Sequence, residues 1–233
     1  MTYNIHHANP PSEKVKIDLV AIARVINQQK PDLVALQEVD VYTERSGKNL
    51  DQARELARLT GMKSFFMKAL DYQGGEYGIA VLSRYTIVDS VGYLLPRDPA
   101  IGGEDRAVAA ITVQLPGQKR VIFASTHLDL KEENRLSQAK ALITHFKDSS
   151  LPMILGGDFN ALSGSPVMDL FDQHFTRTCR DDCAPTIPVN SPNRTIDFIM
   201  YNPINSFKIL NTRVIDEKYA SDHLPVVAEL EIL

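Results

Sequence analysis

The chain has 233 residues, 44% hydrophobic and 23% charged, the profile of a globular domain with a sizeable core; this excludes a disordered or collagen-like chain. No apolar run is long enough to span a bilayer. With 25 Lys and Arg against 29 Asp and Glu, for a net charge of −4, and no basic run longer than a pair such as Lys119-Arg120, the chain lacks the broad positive footprint of a protein that grips a long duplex.

Tyr3-Asn4-Ile5 reads as part of a strand with no charged leader, apolar segment or cleavage site before it, so the expectation is a cytosolic protein or an exported one whose leader is absent from this sequence. Leu19, Ile22, Ala23 and Ile26 fall at i, i+3, i+4 and i+7, an amphipathic helix that Pro31 stops. Leu33 to Leu36 is a short continuous apolar run, a strand buried on both faces and ending at Gln37-Glu38. A second helix runs from Asp51 to about Leu59, with Gly61 as its stop. Between Phe65 and Phe123 the pattern becomes antiparallel strands and hairpins: Ile79 to Leu82, Val108 to Leu115 and Val121 to Ala124, broken by Gly74-Gly75, Pro96, Gly102-Gly103 and Pro116-Gly117. A third helix from about Glu132 carries Leu136, Ala139, Leu142, Ile143 and Phe146 on one face. Leu151 to Leu155 is another buried strand, ending in Gly156-Gly157-Asp158. Ser165-Pro166 is an N-cap followed by proline at the first helical position. Ile196 to Tyr201, Phe207 to Val214 and Val226 to Ile232 are the last strands.

Cys179 and Cys183 are the only cysteines, too few for a disulfide scaffold and without the Cys or His partners of structural zinc. On a helix their spacing would put them on one face, close enough to bridge; two separate thiols are an equal reading. No linker or repeat divides the chain, so residues 1–233 read as one domain. Two similar strand-and-helix halves predict an α/β (α+β) architecture of two packed sheets with helices outside, a four-layer αββα sandwich. An open doubly wound sheet is the alternative, disfavoured because few clean βαβ units occur in the middle of the chain.

Polar residues fall where burial is expected: Asn4, Glu38, His127, Asp129, Asp158, Asn160, Asp197, Asp222 and His223 lie within or at the ends of apolar segments. A buried carboxylate costs several kcal/mol, by order of magnitude, unless it meets a cation or a protonated partner. One such residue reads as a salt-bridged core position; four or more at strand ends point to a common site. Oxygen ligands such as Glu38, Asp158, Asp222 and the Asn4 amide suit Mg²⁺ or Mn²⁺ better than zinc. Two histidines suit proton transfer near neutrality. A hard metal, two imidazoles and no Ser or Cys nucleophile signature imply water attacking phosphorus, with either Asp197 orienting His223 or Asp158 taking the proton.

Six segments, Thr2-Tyr3-Asn4-Ile5, Leu36-Gln37-Glu38, Ser125-Thr126-His127-Leu128-Asp129, Gly157-Asp158-Phe159-Asn160, Thr195-Ile196-Asp197-Phe198-Ile199 and Ser221-Asp222-His223-Leu224-Pro225, occur in the order seen in the endonuclease/exonuclease/phosphatase family, which the chain resembles over essentially its whole length. That family includes deoxyribonuclease I, exonuclease III-type repair enzymes, inositol-polyphosphate 5-phosphatases and bacterial sphingomyelinases, and its fold is the four-layer sandwich. Arg45-Ser46-Gly47, Gly74 to Gly78 and Arg135 to Gln138 look most like uncharacterised bacterial members. The resemblance implies that Asn4 and Glu38 hold the divalent metal with Asp222 at or near it. It implies that His127 contacts the scissile phosphate, Asp158 and Asn160 position water or phosphate, and Asp197 with His223 forms a base or electrostatic stabiliser. Asp129 would support His127 if the strand continues.

Arg45 could read a substrate phosphate bidentately or lie in a solvated loop. Tyr77 could hydrogen-bond a phosphate or His127, or be a core tyrosine. Arg106 could be a second phosphate contact or pair with Glu104. Adjacent His6 and His7 on a strand would face opposite ways and so not share a zinc; His145 and His174 read as surface residues. The leading function is a Mg²⁺-dependent phosphoester hydrolase, monomeric and more a phosphodiesterase than a monoesterase. The alternatives are a phosphomonoesterase on sugar or inositol phosphates, a duplex-DNA endonuclease disfavoured by the charge, and an inactive phosphate-binding module.

Overall fold

In the computed structural model, which describes residues 1–233, the first apolar stripe is the buried face of α1 (Leu19–Gln29), capped by the Asp18 carboxylate accepting from Ala21 N and ended at Lys30 in the left-handed region. Asp51 and Gly61 bracket α2 (Gln52–Thr60) in the same way. The third helix is α3 (Glu132–Phe146). Ser165 accepts from Met168 N to cap α4 (Pro166–Asp172), with the proline in its first turn. No helix is long and apolar enough to cross a membrane.

The strands are β1 (Thr2–Asn4), β2 (Leu33–Val41), β3 (Lys63–Tyr72), β4 (Gly75–Ser83), β5 (Thr86–Leu95), β6 (Arg106–Gln114), β7 (Arg120–His127), β8 (Met153–Asp158), β9 (Thr176–Arg177), β10 (Asp197–Asn202), β11 (Phe207–Val214) and β12 (Val226–Ile232). They form two mixed six-stranded sheets, ordered β11-β12-β1-β2-β4-β3 and β5-β6-β7-β8-β10-β9. The half-exposed β3 and β5 had no clear signature because each is an edge strand whose outer residues are free to be polar.

The core lies in three layers, as the sandwich requires. Leu36, Leu82 and Tyr3 pack under α1 and α2 with Ile22, Ile26 and Leu56. Leu155, Phe198 and Met200 pack under α3 and α4 with Leu142, Met168 and Phe171. Between the sheets, Ala35 and Val81 meet Ile111, Val121 and Phe123. Successive residues of one strand therefore serve different layers, Leu36 outward and Ala35 inward. The sheets approach closely at Gly156, where a Cβ would come within 3.1 Å of both Ala35 Cβ and Thr2 Cβ.

Two local expectations are corrected. His6 and His7 do not lie on a strand: β1 ends because Asn4 Oδ1 accepts from His6 N at 3.1 Å, turning the chain into a 3-10 turn, His6–Ala8, with positive φ at all three residues. Their rings then stack edge to face, 4.6 Å between centroids. Cys179 and Cys183 are joined by a disulfide, Cα to Cα 5.7 Å, in the loop between β9 and β10 and not on a helix.

Candidate active site

Strand register builds half of the site. His127 pairs with Asp158 across the parallel β7 and β8, and Asp158 pairs with Asp197 across the antiparallel β8 and β10. Three residues distant in sequence thus stand in one row across the strand ends of one sheet. From the other sheet, β1 runs parallel to β2 with Asn4 opposite Gln37.

Glu38 arrives by a bulge. Leu36 faces the helices and Gln37 faces the other sheet, so a regular strand would return Glu38 to the helix side. The register against β4 instead jumps from Gln37 to Val39, and Glu38 takes φ 59°, which turns its carboxylate into a cavity of about 430 Å³ between the sheet ends. Opposite Val39 stands Gly78, where a Cβ would lie 2.1 Å from Met67 O, so only glycine fits beside the bulge. Arg45, Arg106, His127, Asp158 and His223 line the same cavity.

Beneath it a buried polar chain ties the sheets: Thr2 Oγ1 donates to Gln37 Oε1 (3.3 Å), Gln37 Nε2 to Ser125 Oγ (3.0 Å) and Ser125 Oγ to Leu36 O (3.0 Å). Asn4 Nδ2 donates to Glu38 Oε1 (2.9 Å) and Asp158 Oδ2 (3.0 Å), joining carboxylates from the two sheets. Asn160, at φ 48°, donates its N–H to Asp158 Oδ1 (2.9 Å) and its Nδ2 to Leu128 O (2.9 Å). Its Nδ2 also lies 3.1 Å from His127 Nε2.

His223 is delivered by the loop before β12, where Ser221 Oγ donates to Asn4 O (2.7 Å). Its Nδ1 donates to Asp197 Oδ2 (2.9 Å), the pairing expected from sequence. Asp197 Oδ2 also accepts from Thr186 Oγ1 (2.5 Å), a fully buried residue of the β9–β10 loop that carried no sequence signal. Thr186 O accepts in turn from Leu224 N (2.8 Å), so one threonine holds both halves of the Asp197–His223 pair.

The electrostatics separate the two histidines. Burial raises the Asp158 carboxyl far above the ordinary carboxylate range, and the negative Asp197 adds to this, against relief from His223, the Asn160 N–H and Asn4. Burial works against charge on His223, but Asp197, Asp158 and Asp222 together hold its proton well above the usual imidazole range. His127 goes the other way: burial, then Arg106 and His223, push it well below that range. At neutral pH the site therefore holds one imidazolium and one neutral imidazole.

Arg45 binds the fully buried Asp40 bidentately (2.7 and 2.9 Å) and stacks on Tyr72, 4.4 Å from the ring centroid, with its edge in the cavity. Arg106, only 4% exposed, pairs with Glu104 (3.1 Å), lies 3.2 Å from His127 Nδ1 and leaves its buried Nε without a partner. Tyr77 is buried in the cavity wall. Asp129 does not face the cavity, because β7 stops at His127; it accepts from Lys131 N (2.8 Å) and Asn134 Nδ2 (3.1 Å), anchoring the entry to α3. Asp222 is half-buried beside Ser221 and outside the cavity lining. Asp158, Asp197 and His223 bring potential ligand atoms within 4.8 Å of one another, beside the expected Asn4, Glu38 and Asp222. The Asp158 and Asp197 oxygens are already claimed by hydrogen bonds and by the imidazolium. Glu38, by contrast, has one oxygen bound to Asn4 and the other unclaimed.

The sequence model of the endonuclease/exonuclease/phosphatase family matches residues 1–223. The chain belongs to this family. It is a phosphoric ester hydrolase, and endonuclease/exonuclease/phosphatase enzymes generally depend on a divalent metal. A family protein from Beutenbergia cavernae superposes with a TM-score of 0.83 at 27% identity, over 99% of this chain and 70% of that one. A mannosyl-6-phosphatase from Bacteroides thetaiotaomicron gives 0.78 at 20% identity, covering 99% and 98%. Carbon catabolite repressor protein 4 homolog 4 from Arabidopsis thaliana is 23% identical over 304 residues, 97% of this chain and 73% of its own length. The two packed mixed sheets are the deoxyribonuclease I-like fold.

Proposed function

We propose that this endonuclease/exonuclease/phosphatase protein is a Mg²⁺-dependent phosphodiesterase that hydrolyses small phosphodiesters as a monomer. The observation that carries the proposal is the facing of Glu38, turned inward by its bulge, against the row of His127, Asp158 and Asp197–His223 across one cavity. A volume of about 430 Å³ fits a small ester. The net charge of −4 speaks against a duplex.

Glu38 fits a hard cation, with an unclaimed carboxylate oxygen at the cavity wall and no thiolate near, while the Asn4 amide beside it turns its NH2 to Glu38 and Asp158 and its oxygen to His6 N, so it would rotate for that oxygen to serve as a ligand. Glu38 and Asn4 would hold Mg²⁺, or Mn²⁺ in its place, while Asp222 acts from outside the cavity through its charge on His223. Bound there, the ion supplies positive charge to the phosphoryl group and acidity to water. Asp158, raised toward proton exchange near neutrality, takes the proton of the attacking water. The His223 imidazolium, held by Asp197, offsets negative charge on the phosphoryl oxygens, and neutral His127 donates a hydrogen bond to one of them. Asn160 keeps Asp158 and the His127 end of β7 in place, Arg45 and Tyr77 form the wall against which the substrate seats, and Arg106 lies behind His127. A second reading, a sugar-phosphate monoesterase, is favoured by the resemblance to the mannosyl-6-phosphatase.

Hydrolysis of bis-p-nitrophenyl phosphate beside p-nitrophenyl phosphate, titrated with Mg²⁺ and with chelator, tests the proposal. Faster diester turnover that chelation abolishes supports it. Faster monoester turnover establishes the second reading, plasmid nicking would return a duplex to consideration, and no turnover with any divalent ion would leave a binding module.

A further inference from the structure

His127 is approached on both ring nitrogens by groups drawn as donors. Arg106 Nη1 lies 3.2 Å from Nδ1, and Asn160 Nδ2 lies 3.1 Å from Nε2. A neutral imidazole has one N–H and one lone pair, so it accepts at only one of the two. A guanidinium has no lone pair and never accepts, and Arg106 keeps its charge through its pairing with Glu104. A proton on Nδ1 would set an N–H against a cationic N–H inside the protein, where solvent screens little. A proton on Nε2 opposes only a neutral amide, and the hydrogens of that amide have Leu128 O at 2.9 Å. It also faces Asp158 Oδ2 at 3.5 Å.

We propose that Arg106 is a positioning residue that fixes His127 as the neutral Nε2–H tautomer, so that His127 donates on its Asp158 side and cannot serve there as a base. The inference rests on the reading of the cavity as a phosphoester site and deepens it. Four charged or titratable groups face the ring: Arg106 from β6, Asp158 from β8, His223 from the loop before β12 and, through Arg106, Glu104. Two of them, Arg106 and His223, oppose a second proton, which agrees with the depressed basicity of His127. The Nε2–H then points to Asp158 or to a phosphoryl oxygen lodged beside it. Arg106 thereby acts through His127, and its unpartnered Nε is left within the buried guanidinium.

Long-range ¹H–¹⁵N correlation spectra of the histidine rings in the full ¹⁵N-labelled chain read the tautomer directly, with His127 assigned by its loss in His127→Ala. The expected result is one neutral tautomer, protonated at Nε2, unchanged between about pH 5 and pH 8, the window in which a free histidine titrates. A proton on Nδ1, a mixture of tautomers or an ordinary titration overturns the proposal. Arg106→Gln, which can accept as well as donate, is expected to populate both tautomers and to lower kcat on bis-p-nitrophenyl phosphate roughly tenfold or more with KM changed little. Arg106→Lys, which keeps a donor-only cation, is expected to restore the single tautomer. A rise in KM at constant kcat with the tautomer unmoved in Arg106→Gln would make Arg106 a substrate contact instead. If Arg106→Gln does not fold, the wild-type spectrum still decides. The spectrum needs no turnover, so failure of the hydrolase reading and failure of the tautomer assignment are told apart.

Discussion

Each titratable residue of the site differs from its neighbour by what surrounds it, and its substitution has a distinct signature. Glu38→Gln removes the charge of the cavity carboxylate that the Glu38 bulge turns inward, one of whose oxygens is unclaimed; calorimetry is expected to show weakened Mg²⁺ binding and assays near loss of turnover, with an unchanged circular dichroism spectrum. Undiminished metal affinity would reassign Glu38. His127→Ala and His223→Ala are each expected to lower kcat by roughly 10² or more, the range for a positioned donor or charge stabiliser. Wild-type kcat in either variant would make that histidine structural. Asp197 acts on two partners, raising both His223 and Asp158 by its charge. In Asp197→Asn the imidazolium loses its proton more easily, so the alkaline limb of the pH–rate profile moves to lower pH. Asp158 ionises more easily, so the acidic limb moves down as well. A large rise in Mg²⁺ requirement with unmoved limbs would mark Asp197 as a metal ligand.

At the scale of elements, the site exists because strands of two sheets end together and are locked there. The lock is the chain Thr2, Gln37, Ser125 and Leu36 O, all fully buried. Ser125→Ala takes the acceptor from Gln37 Nε2 in a place water cannot reach. An unfolding free energy lower by about 1–3 kcal/mol in urea denaturation is expected, the cost of a buried unsatisfied donor. A change within experimental scatter would show that Gln37 finds another partner. The bulge at Glu38 is the other device of this scale, and nothing in Leu36-Gln37-Glu38-Val39 announces it: a bulge is defined by pairing against β4, where Gly78 makes room.

Over the whole molecule, three core layers hold the sandwich while one long loop, between β9 and β10, carries Thr186 to Asp197 and Arg194 to the cavity. The disulfide Cys179–Cys183 staples the start of that loop. Closing so short a ring contributes about 2 kcal/mol by loss of unfolded-chain entropy. Denaturation with and without reductant is expected to differ by about that amount, with the reduced chain still folded because the three core layers do not depend on the bridge. Equal stability in the two conditions would show that the bridge adds nothing in solution.

The sequence by itself determined the layers and the chemical repertoire. Helical stripes, apolar runs and their Gly, Pro and cap boundaries are local patterns, and acids at the ends of apolar runs betray a site because burying them unpaired is so costly. The Asp197–His223 pair was legible for the same reason, Asp197 opening a strand and His223 lying just before the last one. Tertiary structure alone decided what depends on register and on the far side of a contact: the row of His127, Asp158 and Asp197, the inward turn of Glu38, and the end of β7 that takes Asp129 out of the site. It also decided the charges. Whether a histidine is kept protonated or neutral depends on which groups surround it in space, Asp197 and Asp158 for His223 but Arg106 for His127, and Coulomb interactions in a buried site ignore distance along the chain.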